Sequence, residues 1–252
     1  MNKRNPAAAR SLASTLSGGS GRPKKPAPAT IDAASARSEA DDVRISLHES
    51  SHAVIGRWLT GEAIGGVTVV ASSTFGGLCW GPHYAHRAKF SEGEVPELCS
   101  QIAALMPAPG ESRAHVADIF LHCFNRVTEL VAGTQGEMLF LDGEPWFAAD
   151  DERQAIAYAS MVTSSPASAA AFISACRVEA TTLLTASAHI VRAVAAELQI
   201  ARTMNGAEVD RCIEQAVAAK TLSDVRQRRA NWARVEANAA LLWLNQTARR
   251  SA

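Results

Sequence analysis

The stretch His48-Glu49-Ser50-Ser51-His52 decides how this 252-residue chain is interpreted. It has the pattern H-E-x-x-H, and the surrounding apolar residues recur every three or four positions, which predicts a helix over 43–59. This spacing places both imidazoles on one face of the helix, where they can bind a single zinc ion. Glu49 is displaced around the helix, where it can act as a general base. The alternative is a solvated helix that exposes these polar residues, and the apolar flanks argue against it.

Composition narrows the class of protein. The formal net charge is zero, so the chain as a whole offers no electrostatic case for binding nucleic acid or an acidic membrane. There is no apolar run long enough to span a bilayer, and the N-terminus lacks the apolar core of a secretory signal. Five cysteines are scattered without a C-x-x-C spacing, which favours free thiols in a reducing compartment. We therefore expect a cytoplasmic location.

Three segments are expected along the chain. Residues 1–40 are rich in Ala, Ser, Gly and Pro, which predicts a disordered tail, with a transit peptide as the weaker alternative. Residues 41–220 form the predicted main domain, which contains the H-E-x-x-H motif. Residues 221–252 form a basic amphipathic helix with apolar positions spaced like a coiled-coil seam.

Within the central segment, two β-rich runs around a Ser/Gly turn predict a hairpin, at 67–70 and 78–80. Apolar periodicity predicts helices elsewhere, at 97–106, 113–141, 150–163, 167–200 and 206–220. The predicted fold is α+β and mainly α, with the small hairpin or sheet packed by the metal-binding helix.

A catalytic zinc site commonly takes three protein ligands, so a third must come from elsewhere. The residues alone leave several donors open: His83, His86, His115, His122, His189, Asp150 and Asp151. The two aspartates lie together where a helix is predicted to begin, and N-capping would equally explain them.

The motif and its surroundings resemble the peptidase domain of the FtsH family of zinc proteases. Residues 48–56 resemble its H-E-A-G-H-A helix, and 66–70 with the following glycines resemble its V-T-I-x strand. Residues 130–143 resemble its G-G-R-A-A-E-E-L-x-F-G helix, and 150–162 resemble its N-D-L-x-x-A-T-x-x-A-x-x-M-V segment. The likeness covers roughly residues 43 to 215.

In the last of those segments the family's aspartate is the third zinc ligand. Matching Ala155 and Ala159 to the family's alanines selects Asp151, whereas matching Met161 selects Asp150. Two alanines outweigh one methionine, so the resemblance implies that Asp151 is the ligand.

The resemblance implies a zinc metalloendopeptidase with Zn2+ as cofactor, a polypeptide substrate and a ring of identical subunits. Ser51 departs from the family's glycine, and the sequence contains no G-x-x-x-x-G-K-[ST] phosphate loop. We therefore expect the protein to cut flexible or unfolded polypeptides, or to work with a separate ATPase. The alternative is a non-catalytic interaction module of the same fold.

Three further features have two interpretations each. Glu137 is either an acceptor that orients a ligating imidazole or a surface glutamate. The second hairpin strand is either an edge for an extended peptide or purely structural. The arginines near Trp232 and Trp243 are compatible with nucleic acid, but the apolar seam beside them favours helix packing.

Overall fold

The helix that carries H-E-x-x-H begins and ends at strong local signals. In the computed structural model α1 spans Glu39–Thr60. Ser38 and Asp41 form a reciprocal capping box at its start, and acidic side chains in the first turn complement the helix dipole. Gly61 ends the helix in the left-handed conformation, φ 68°, which glycine adopts without steric cost. The predicted helix is confirmed, and it begins four residues earlier than predicted, at Glu39.

The structure describes residues 37–72, 75–81, 100–108, 110–146 and 148–250, with side chains as far as residue 245. After α1 come β1 (Gly66–Thr68), β2 (Leu78–Trp80), α2 (Ala117–Phe140), α3 (Ala149–Val162), α4 (Pro166–Ala186), α5 (Ala188–Ala201), β3 (Thr203–Asn205) and α6 (Gly206–Arg250). A short 3-10 turn, Ala114–Val116, leads into α2. The chain is therefore mainly helical with a small antiparallel sheet, which confirms the predicted fold class.

The sheet has the strand order β2-β1-β3 and all its neighbours are antiparallel. Val67 at the centre of β1 is paired with Cys79 on one side and Met204 on the other. The predicted hairpin is confirmed, although β1 ends at Thr68 rather than at residue 70. The third strand was not predicted.

Helix α1 lies between the sheet and the other helices. It packs mainly against α2 and α5, while α2 also packs against α3 and α4. The centre of the core is fully buried and aliphatic, with Val54, Ile55, Val127, Leu184 and Val191 among its members. Burial of the apolar side of α1 fixes the helix in place, so the orientation of its polar motif is set by the core.

The predicted helix over 167–200 is wrong in one respect, because it is interrupted at Ser187 between α4 and α5. The hydroxyl of Ser187 donates to the carbonyl of Leu183, 2.5 Å away, and the backbone leaves the helical path there. Of the helix predicted at 97–106, residues 100–103 are helical and the chain then turns, while 97–99 lie outside the described residues. Helix α6 continues through residue 220 without a break.

Other expectations concern parts that the structure leaves undescribed or describes only partly. The predicted disordered tail lies outside the described residues except for its last four positions, 37–40, where α1 begins at Glu39. His83, His86 and Cys99 also lie outside them. The four described cysteines are free thiols.

Among the described helices no single one is long and apolar enough to cross a membrane. Only α3 and α4 taken together meet that test, and they are bent by 117°.

Candidate metal centre

Three side chains from two helices converge on one point. The Nε2 atoms of His48 and His52 lie 3.0 Å apart on consecutive turns of α1. Oδ2 of Asp151, in the first turn of α3, lies 3.3 Å from each of them. One ligand atom from each residue falls within 4.8 Å of the others. This group could hold a metal ion, and it is the one His, Cys, Asp and Glu cluster of that kind among the described residues.

Both imidazoles are oriented by acceptors on their opposite nitrogen. His52 Nδ1 donates to the backbone carbonyl of Glu129 at 2.7 Å, and His48 Nδ1 donates to Oε1 of Glu137 at 2.7 Å. A proton on Nδ1 leaves Nε2 of a neutral imidazole with a free lone pair directed at the other ligands. Acceptors of this kind fix the tautomer of metal-binding histidines. The donor set therefore fits a divalent metal ion.

Glu137 is itself held in place by several donors. It is only 2% exposed, and its Oε2 accepts from Arg44 Nη1 at 2.7 Å and from the backbone N–H of Trp146 at 3.0 Å. The Arg44 guanidinium also lies over the Trp146 ring, 5.3 Å from its centroid. Of the two interpretations offered by the sequence, the structure supports an acceptor that orients His48 and excludes an exposed surface residue.

The structure places Asp151, and not Asp150, with the histidines. The side chain of Asp150 is 68% exposed and binds Arg153 and Gln154 in its own helix. Neither aspartate caps α3, because the N-cap residue is Ala148 and no side chain closes that end. N-capping therefore does not explain the pair of aspartates.

A glycine leaves room for the two imidazoles. Gly133 lies on α2, directly opposite the ligand face of α1. A Cβ at this position would lie 2.5 Å from His52 Nε2 and closer still to His48 Nε2. The absence of a side chain at Gly133 thus leaves room for both imidazoles beside α2.

A second contact between the same helices explains how Ser51 is tolerated. Gly136, also on α2, lies against the Ser51 hydroxyl, which donates to the carbonyl of Leu47 at 2.7 Å. A Cβ at Gly136 would overlap that hydroxyl. The side chain of Ser51 is therefore accommodated by a glycine on the facing helix.

Glu49 is buried between α1 and the segment that leads into β2. It is 7% exposed, and a Cβ added to Gly77 would lie 2.6 Å from its Oε1. Among the described residues no hydrogen-bond partner of its carboxylate is found. The glycine lets the backbone approach the carboxylate closely.

Burial and charge shift the pKa values of these groups in opposite directions. Burial lowers the pKa of His48, but hydrogen bonds to the Asp151 and Glu137 carboxylates outweigh it and raise the pKa to about 10. Burial raises the pKa of Asp151, but the two histidines outweigh this effect and hold the pKa well below the usual range. Burial raises the pKa of Glu49, against the opposing effect of both histidines. Strongly shifted groups gathered at one place are typical of functional sites.

The other histidines that the structure describes do not join the cluster. His115 and His122 are exposed, and the ring of His122 lies against Tyr158. His189 is half-buried at the start of α5. Sequence reasoning missed Arg44, Gly133 and Gly136, because their importance arises from the packing of α1 on α2.

Comparison with known proteins gives no assignment. No protein-family model matches this chain, and no curated protein matches it. The functional conclusion therefore depends on the site itself.

Proposed function

We propose that this protein is a zinc-dependent endopeptidase that hydrolyses flexible or unfolded polypeptides. The single observation that supports it most is the convergence of His48 Nε2, His52 Nε2 and Asp151 Oδ2 beside a buried Glu49. Two imidazoles and one carboxylate form a ligand set that suits zinc and leaves a position for water or substrate. A purely structural zinc site is usually closed by four protein ligands, and would have no use for a neighbouring base.

The chemistry divides between the metal and the protein. A zinc ion at this site would act as a Lewis acid that polarises the scissile carbonyl and makes water easier to deprotonate. Glu49 takes the proton from the attacking water and then gives it to the leaving amine. Burial raises the pKa of Glu49, and a carboxylate with a raised pKa accepts a proton more readily than a solvated one.

The ligand frame has its own task. Glu137 and the Glu129 carbonyl hold the imidazoles in orientation. Against the effect of burial, hydrogen bonds from His48, the Trp146 N–H and Arg44 lower the pKa of Glu137 and hold its side chain in place. Arg44, Glu137 and Trp146 thus connect α1 to the segment that leads to Asp151. Preorganisation of this kind lowers the cost of assembling the site when substrate arrives.

A peptide substrate can be positioned by the sheet. Strand β2 is at the edge, since it pairs with β1 alone among the described strands, and Gly77 at its start lies against Glu49. An extended peptide that added to this edge would run past the base. This geometry favours flexible chains, and folded substrates would need a separate ATPase to unfold them. A homo-oligomer and a cytoplasmic location belong to the same proposal.

The test is Glu49→Gln, which removes the base and keeps the shape of the side chain. The variant should bind as much zinc as the wild type and cleave unfolded casein about 10²- to 10⁴-fold more slowly. Asp150→Asn is the matched control and should cleave normally. Undiminished cleavage by Glu49→Gln would contradict the assigned base. A wild type that binds zinc and cleaves no polypeptide would favour the interaction module instead.

A further inference from the structure

The second half of α6 extends away from the rest of the protein. The helix is 45 residues long, and its first turns pack against α5, β1 and β3, with Val209 buried and Ile213 half-buried. From residue 226 to 245 every side chain is exposed. These twenty residues form about 30 Å of helix that no other described part of the chain covers.

This exposed helix has an apolar stripe. Trp232 is 66% exposed, Val235 55%, Leu242 64% and Trp243 65%. With Val225 and Ala239 they recur at intervals of three and four, so they lie on one side of the helix. Soluble proteins rarely leave such a stripe uncovered unless it binds a partner.

We propose that this stripe pairs with the same stripe of a second copy of the chain, in an antiparallel coiled coil. In heptad terms Val225, Trp232 and Ala239 occupy a positions, and Arg228, Val235 and Leu242 occupy d positions. Antiparallel pairing about a twofold axis between Arg229 and Glu236 of the two copies puts large side chains opposite smaller ones. Val225 faces Leu242, Trp232 faces Val235, and Arg228 lays its aliphatic stem over Ala239.

The flanking positions select the same register. Leu222, Arg229, Glu236 and Trp243 occupy successive e positions, which face each other across an antiparallel pair. Arg229 of each copy then meets Glu236 of the other, so two equivalent ion pairs form, and Leu222 meets Trp243. Arg229 has no ion pair among the described residues, and Glu236 uses only Oε1, which accepts from Trp232 Nε1 at 2.7 Å. Both charged groups are therefore available.

A parallel pair fits less well. It would set Arg228 against Arg228 and Trp232 against Trp232 at the centre of the interface, with like charges and bulky rings in register. Part of the positive charge of this helix is already neutralised, because Lys220 binds Asp224 at 2.5 Å within the helix. The antiparallel register separates the remaining arginines from their symmetry mates along most of the interface.

Charge reversal in the full-length protein tests the register. Sedimentation of the wild type should show a dimer. Arg229→Glu and Glu236→Arg should each raise the dimer dissociation constant about tenfold or more, because each creates two like-charge contacts. The double variant Arg229→Glu/Glu236→Arg should restore the wild-type value, since it rebuilds both ion pairs with reversed sign. Circular dichroism controls for helix content, which these substitutions between good helix formers should preserve.

Cysteine cross-linking tests the orientation independently. The pair Val225→Cys/Leu242→Cys should form an intermolecular disulfide, identified by mass spectrometry of the joined peptides, whereas Val225→Cys alone should not link to itself. A disulfide between two copies of Val225→Cys would show a parallel pair and overturn the proposal. A wild type that stays monomeric at about 100 µM would also overturn the proposal, whether or not the helix binds anionic vesicles. A charge-reversed double variant that fails to restore the dimer would overturn it as well.

Discussion

Gly133 on α2 lies directly against the His48 imidazole on α1, with no space between them for a side chain. The two helices approach so closely here that the ligand atoms of the candidate site meet beside bare backbone. This relationship makes the candidate metal centre sensitive to a single methyl group.

Gly133→Ala should therefore displace one or both imidazoles. We expect zinc affinity to fall about 10- to 100-fold, the range seen when the support of metal ligands is disturbed, measured by competition with a chromophoric chelator. Gly56→Ala is the matched control in α1, because the nearest atoms to its added Cβ belong to the Glu129 side chain, at 3.1 Å, which can move. Unchanged affinity in Gly133→Ala would mean that the ligands do not bind where this structure places them.

Gly136→Ala should destabilise the fold because the new methyl group overlaps Ser51. We expect a loss of about 1–3 kcal/mol in the free energy of unfolding, measured by urea denaturation. Ser51→Gly removes the conflict at a cost of about 1 kcal/mol for a glycine inside a helix. The double variant should then lose less free energy of unfolding than the sum of the losses in the two single variants. Simple additivity would contradict the contact.

Glu137→Gln should weaken metal binding without removing a ligand. The amide loses the negative charge that accepts from His48 Nδ1 and Arg44, so the imidazole loses its orientation. We expect about a 10- to 100-fold loss of zinc affinity. Glu144→Gln is the control, because Glu144 offers Arg44 only its backbone carbonyl. Equal affinities for both variants would assign Glu137 a merely structural role.

Zinc binding should release protons and strengthen as the pH rises. With its pKa raised to about 10, His48 is protonated at neutral pH unless a metal replaces the proton. In the metal-free protein, protonated His48 stabilises the fold because its pKa is higher in the folded state. This stabilisation is complete below the ordinary pKa of 6.5 and is lost as the pH rises toward 10. Calorimetry in two buffers of different ionisation enthalpy measures the protons released. Zinc affinity that is flat between pH 6 and 8 would contradict this account.

The sequence predicts those parts of the fold that have a strong local pattern. The apolar periodicity around the motif and the Gly61 stop define α1, and the Ser/Gly turn defines the hairpin. Strand β3 was missed because a strand of three residues, Thr203–Asn205, is stabilised by pairing with distant β1 and has little pattern of its own. The break at Ser187 was missed because no glycine or proline marks it.

The candidate site divides in the same way. The two histidines and Glu49 are visible as a motif on one helix, whereas the choice of Asp151 needed a family resemblance, since two adjacent aspartates are equivalent by local pattern. Gly133 and Arg44 could not be found, because one acts by having no side chain and the other contacts a residue 93 positions away. The roles of Gly133 and Arg44 arise only from tertiary packing.

We propose that His48, His52 and Asp151 together hold a zinc ion. The most direct measurement is the metal content of the purified full-length protein by mass spectrometry, compared between Asp151→Ala and Asp150→Ala after equal exposure to zinc and dialysis. We expect about one zinc per chain in the wild type and in Asp150→Ala, and a large loss of zinc in Asp151→Ala. Full zinc in Asp151→Ala, or none in the wild type, would contradict it.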